Sequence, residues 1–174
     1  MQGLEPHAPV VYVGTFSKTV FPALRLGFFV VPEAVVDRVT GVVGAWCPRG
    51  QTLSQWALAD FIDEGHFTRH LRRMRRLYRA RQAALREALE RHWPLPARVL
   101  GGQAGMHLVL SLPAGVNDLA LATRAHQAGQ SPRPLSLYST GGIDGFRGLV
   151  MGYANTREER MNHLVKQLAT LVSR

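Results

Sequence analysis

Two apolar runs and the polar link between them constrain this chain more than any other feature. Val10-Val11-Tyr12-Val13 leads into Gly14-Thr15-Phe16-Ser17-Lys18, and a second run, Arg25–Val31, follows at Leu24-Arg25-Leu26-Gly27-Phe28. Both read as buried strands, with Phe21-Pro22 marking their connection and Pro32 ending the second. A lysine just past a buried strand end is costly unless something uses it. Desolvation eases loss of its proton, and a neutral amine can form a Schiff base with an aldehyde. The hydroxyls of Thr15 and Ser17 and the guanidinium of Arg25 can hold a phosphate beside it. The spacing leaves two readings open. One is a ligand bearing both an aldehyde and a phosphate, as pyridoxal phosphate does; the other is an ordinary solvated lysine.

The rest of the chain alternates helix and strand patterns. Pro32–Val43 reads as a helix with proline at its start, fraying into Gly41 and Gly44, and Gly44–Gly50, with Pro48, as a loop. Thr52–Asp63 is helical and Gly65 interrupts it. His66–His92 is then a long helix, because Phe67, Leu71, Met74, Tyr78, Leu85 and Leu89 recur at helical spacing. Arg69, Arg72, Arg73, Arg76 and Arg79 lie off that stripe, as a solvated face or as a dimer or interdomain contact. Met106–Leu112 alternates like a half-buried strand. Asn117 is placed to cap a helix reaching about Gln127. Leu149–Tyr153 is a short buried strand. Thr156 precedes the closing helix Arg157–Val172, whose Glu158 and Glu159 suit an N-terminal dipole.

Composition excludes several classes. No apolar run approaches a membrane span and no cationic start precedes an apolar signal core, which suits a soluble cytoplasmic protein. Cys47 is the single cysteine, so no internal disulfide framework exists, and it reads as a small buried hydrophobe rather than a reactive thiol. The net charge of +9 invites a nucleic-acid reading. Arginine dominates it, with Lys18 and Lys166 the only lysines, a bias that GC-rich coding also produces, so direct DNA contact by this chain is the less favoured reading. His66 and His70 have the spacing of two metal ligands but no evident third. Gly101-Gly102-Gln103-Ala104-Gly105 is better read as a turn than as a phosphate loop, because no strand-to-helix fingerprint surrounds it. A nucleophile elbow is absent, which argues against a hydrolase.

Three stretches carry a family likeness. GTFSKTVFPALRLGFFVVP resembles the lysine segment of fold-type-I pyridoxal-phosphate enzymes, the aspartate aminotransferase family. It is most similar to the aminotransferase-like domain of MocR-type regulators in the GntR superfamily. Residues 51–89 resemble that family's segment after the lysine, and Pro134-Leu135-Ser136-Leu137-Tyr138 with Gly148–Asn155 resemble its end. The resemblance implies an α/β fold: a remnant of the large-domain mixed sheet with its bridging helix over 1–79, and a small C-terminal α/β domain over 80–174. It implies pyridoxal 5'-phosphate as cofactor, with Lys18 as the Schiff-base and proton-moving residue and Thr15, Ser17 and Arg25 around the phosphate.

The family's catalytic region is about twice as long as this chain. The chain is therefore expected to be a C-terminal fragment, lacking the groups that hold the pyridine ring and inactive by itself. The full-length protein is expected to be a homodimer that binds a small-molecule amine or amino acid and touches DNA only through an N-terminal winged helix-turn-helix. The competing reading is a working aminotransferase acting on an amino acid. One departure bears on it. The likeness puts Val150 where many aminotransferases carry an arginine for the substrate carboxylate, and Arg147 lies three residues upstream.

Overall fold

The structure, a computed structural model, describes residues 9–47, 50–103, 105–138 and 146–172. They form two compact units, 1–72 and 73–174. The division falls inside the long helix, a little before the expected boundary at 79/80. Tyr78 explains this, because it already packs against the second unit's core.

In the first unit, strands β1 (Tyr12–Thr15) and β2 (Gly27–Val30) pair antiparallel, from Tyr12↔Val30 to Thr15↔Gly27. Helices α1 (Val36–Trp46), α2 (Thr52–Asp63) and α3 (His66–His92) follow. β1 lies two residues later than Val10–Val13, and neither strand is buried. Val13 is 64% and Phe29 58% exposed. The reason is that β1 and β2 form a two-stranded ribbon, with no further strand among the described residues to cover either edge or face. α1 continues through Gly41 and Gly44 to Trp46, because nothing crowds either glycine and the backbone bonds run on. Cys47 follows it and is exposed, not buried, since every residue of α1's last turns is open to solvent. Pro48 lies outside the described residues.

An aromatic chain gives this unit what packing it has. The Phe28 ring contacts Tyr12 at 5.8 Å and Phe16 at 5.5 Å between centroids, and Phe67 of α3 meets Phe16 at 6.0 Å and Phe61 of α2 at 6.5 Å. Gly14 makes this possible: a Cβ there would collide with the Phe28 ring.

The second unit has a conventional core. β3 (Val99–Leu100), β4 (His107–Ser111), β5 (Arg133–Pro134) and β6 (Gly148–Gly152) form an antiparallel sheet in the order β3-β4-β6-β5. Leu108 and Leu110 of β4 and Leu149 of β6 point to one face. There they pack with Leu85 and Leu89 of α3, Leu121 and Ala125 of α4 (Asp118–Gln127), and Val165 and Leu168 of α5 (Glu158–Thr170). His107, Val109, Val150 and Arg133 lie on the other face by the same alternation. Among the described residues, all buried apolar side chains except Leu26 and Leu58 belong to this unit. No described helix is long and apolar enough to cross a membrane.

One buried carboxylate ties the unit's connections. Asn117 caps α4 by accepting the Ala120 amide at 3.0 Å, as its side-chain type suggests. Asp118, 2% exposed, then accepts from the Ser136 amide and hydroxyl, both at 2.9 Å, and from the Gly148 amide at 3.2 Å. α4, the 3-10 turn Leu135–Tyr138 and the start of β6 therefore meet at one group. Burial pushes the Asp118 carboxyl up, but these hydrogen bonds and one from Leu119 outweigh it and hold the group below its ordinary value of 3.8. Its stabilisation is thus complete above the unfolded-state value, near 3.9, and is lost as pH falls through the lower folded-state value. Asp118→Asn, which puts an N–H pair before these donors, should cost about 1–3 kcal/mol at neutral pH. Urea denaturation should show the gap to wild type closing as the pH drops below about 4; a gap constant with pH would mean that the charge is irrelevant.

Candidate functional site

The residues after β1 form a tight turn that the ladder aims. Phe16 donates its amide to the Leu26 carbonyl at 3.1 Å, extending the pairing beyond Thr15↔Gly27. The ladder stops there: Ser17 enters a turn, and Arg25 is the left-handed cap of the 3-10 turn Pro22–Leu24. The turn then closes on Phe16, whose carbonyl accepts the amides of Thr19 at 3.2 Å and Val20 at 2.8 Å. Lys18 stands at its apex.

Thr15 and Ser17 come together as expected. The Thr15 hydroxyl lies 3.1 Å from Ser17 Oγ, accepts the Ser17 amide at 3.2 Å and reaches the Leu26 carbonyl at 3.3 Å. Thr15 has a single hydroxyl proton for two acceptors, the Ser17 Oγ and the Leu26 carbonyl. The Lys18 amine is exposed and bonded to no described residue. The burial expected of it is not supplied by these residues, because the strand beneath it is itself open. Arg25 is exposed too, and its backbone is unusual: φ is 53°, the only positive value on a non-glycine residue among those described. It caps the short 3-10 turn Pro22–Leu24 in the left-handed conformation, at a cost of about 1–2 kcal/mol for a side chain with a Cβ.

Sequence reasoning missed what steadies the turn. His70 of α3 donates from Nε2 to the Thr19 carbonyl at 3.0 Å, so the proton sits on Nε2. His66 faces Glu64 instead, at 3.1 Å, so the two histidines do not converge on one point. Only the helical spacing hinted at His70, and it hinted at a metal.

The second unit settles two other sequence questions. The Gly101–Gly105 stretch turns its carbonyls inward. Gly101 accepts from Arg86 at 2.7 Å, Gly102 from Gln82, and Gly105 from the Tyr153 hydroxyl at 2.8 Å. A phosphate loop presents amides, so this is a turn anchored to α3; Ala104 lies outside the described residues. Burial raises the Tyr153 hydroxyl above its usual 10.0, partly offset by Gln82 and Arg86, so it stays a donor. Val150 is half-buried at the centre of β6, and Arg147 points elsewhere, reaching the Val116 carbonyl at 3.4 Å. The guanidinium that pairing puts beside Val150 is Arg133 of β5, 3.4 Å from the Tyr138 hydroxyl. Nothing in the linear sequence marks it, because only strand pairing makes these residues neighbours.

Comparison with known proteins agrees with this architecture. Residues 1–168 match the family described as Aminotransferase class I and II, and the chain belongs to that family. It is 39% identical over 168 residues to the probable rhizopine catabolism regulatory protein MocR of Rhizobium meliloti, across 97% of this chain and 34% of the relative. It is 34% identical over 173 residues to the uncharacterized HTH-type transcriptional regulator YhdI of Bacillus subtilis, across 98% of this chain and 36% of the relative. Among solved structures it resembles the α-aminoadipate aminotransferase LysN of Thermus thermophilus, with a TM-score of 0.83 and 27% identity, over 98% of this chain and 44% of that one. The fold is therefore that of the fold-type-I aminotransferases. The chain spans about a third of the length of these curated relatives.

His70→Ala should free the Thr19 carbonyl and cost about 1 kcal/mol locally. Hydrogen exchange at the Val20 amide should quicken correspondingly. An unchanged rate would show that the turn holds itself.

Proposed function

We propose that this chain is the pyridoxal-phosphate-binding, effector-sensing part of a MocR-type transcriptional regulator, taking a small amine or amino acid as its signal. The observation that carries the reading is the turn at Thr15–Lys18, which groups an exposed amine with the hydroxyls of Thr15 and Ser17, while Arg25 caps the 3-10 turn that leads into β2. That donor set suits a phosphate and an aldehyde on one small molecule. The strained Arg25 supports it, since a left-handed arginine persists where its side chain is wanted. When bound, the cofactor supplies an aldehyde for amines to condense with and a ring that withdraws electrons. Lys18 would hold it covalently and, once displaced by a ligand amine, would be free to move a proton. Ser17 and Arg25 would orient and neutralise the phosphate, and His70 would keep the lysine turn in place.

The likeness to regulators and the apolar Val150 favour sensing over turnover. An aminotransferase acting on an amino acid is the second reading, supported by the likeness to LysN. DNA contact through a helix-turn-helix domain and homodimer formation belong to the whole protein on this proposal. The coding sequence immediately upstream discriminates: a winged helix-turn-helix and linker would support the regulator, a plain aminotransferase N-terminus the enzyme.

Two measurements test the cofactor site. The chain has two lysines, Lys18 and the exposed Lys166, so each is the other's control. Incubation with pyridoxal phosphate and borohydride should fix the adduct on Lys18 in preference to Lys166 by peptide mass mapping. Equal labelling of both would remove the assignment. Arg25→Gly separates structure from binding. Glycine relieves the positive φ and should raise stability by about 1 kcal/mol, while loss of the guanidinium should weaken labelling affinity by about 2 kcal/mol, roughly 30-fold. Unchanged affinity would make Arg25 a structural cap only.

A further inference from the structure

The long helix carries charge that nothing described neutralises. Arg69, Arg72, Arg73, Arg75, Arg76 and Arg79 are all exposed. None makes an ion pair or hydrogen bond with a described residue. No acid occurs between Glu64 and Glu87. Farther along, Arg91 pairs with Glu87 on the same helix, which shows how the sequence neutralises an arginine where it needs to. At 3.6 residues per turn the six arginines fall within an arc of about 160°, opposite Phe67, Leu71, Met74 and Tyr78. From Arg69 to Arg79 the row extends about 15 Å. Like charges three and four apart repel along a helix. Such a row is therefore unfavourable for the helix alone and becomes favourable against an external anion.

Between residues 69 and 79 only arginine occupies that arc. It offers none of the buried aromatic or aliphatic anchors that concentrate affinity in protein–protein interfaces. A repeated guanidinium fork matches phosphate oxygens, and a single-sign row matches a regularly charged polymer. From this we infer that the arginine face of α3 binds the phosphate backbone of duplex DNA without reading its sequence. It would thereby add affinity and orientation to whatever domain recognises the operator. The inference rests on the regulator reading.

The test is fluorescence anisotropy of a labelled duplex of roughly 20 base pairs and arbitrary sequence, titrated with the chain between 50 and 200 mM salt. About four phosphate contacts predict a log–log slope near −3.6 and an affinity loss of about 150-fold over that range. The triple variant Arg72→Gln, Arg76→Gln, Arg79→Gln should bind at least about tenfold more weakly at low salt, with a slope shallower by about 2.7. Glutamine forms helix about as well as arginine, so circular dichroism should show the helix retained. The corresponding triple lysine variant should keep the slope. Removing equal charge elsewhere, with Arg98→Gln, Arg157→Gln and Arg160→Gln, should change affinity by less than about twofold. Absence of binding at low salt, an unchanged slope in the glutamine variant, or an equal loss in the control would each overturn the inference. Lys18 labelling of the same variants should be unaffected, so failure of DNA binding and failure of the cofactor reading are separate results.

Discussion

The antiparallel register of β1 on β2 is the constraint on which the candidate site depends. Because Thr15 faces Gly27, the next step bonds the Phe16 amide to the Leu26 carbonyl and sets where the lysine turn begins. Slipping that register by one residue would turn every side chain to the other face. It would break the Phe16–Leu26 bond and the Thr15 contact with the Leu26 carbonyl, leaving the lysine turn without its anchor. Gly14 protects the register by admitting the Phe28 ring, and His70 fixes the far side of the turn. The site is thus built from backbone pairing first and side-chain chemistry second.

The two units solve the burial problem differently. The second closes a helix-backed sheet over leucine and valine and gathers its loose ends on Asp118. The first leaves strands and helices rich in large apolar residues open, with Trp46 85% exposed. The contrast follows from what each has to pack against. A four-stranded sheet with three helices buries one whole face, whereas a two-stranded ribbon is marginal without more strands.

The long helix presents two different faces. At its start, α3 presents His70 to the Thr19 carbonyl and Phe67 to Phe16, so it takes part in holding the lysine turn. Its opposite arc carries the unneutralised arginines.

Periodicity determined much of this protein unaided. Apolar residues at helical spacing gave His66–His92 and Thr52–Asp63 to the residue, and the side-chain chemistry of Asn117 gave the start of α4. The lysine motif and its likeness gave the family and the cofactor expectation. Local pattern, however, carries no information about what lies across a sheet or over a strand. Apolar strands therefore read as buried although this chain does not cover them, and glycines read as breaks although α1 runs through them. Asp118 and Arg133 look like ordinary polar residues, and His70 like half of a metal pair, until pairing and packing bring them to Gly148, Val150 and Thr19. Propensity and period act within a few residues, so the sequence determined most of the elements and raised the expectation for Lys18. Only the tertiary structure decided which polar groups meet, because those contacts join residues tens of positions apart.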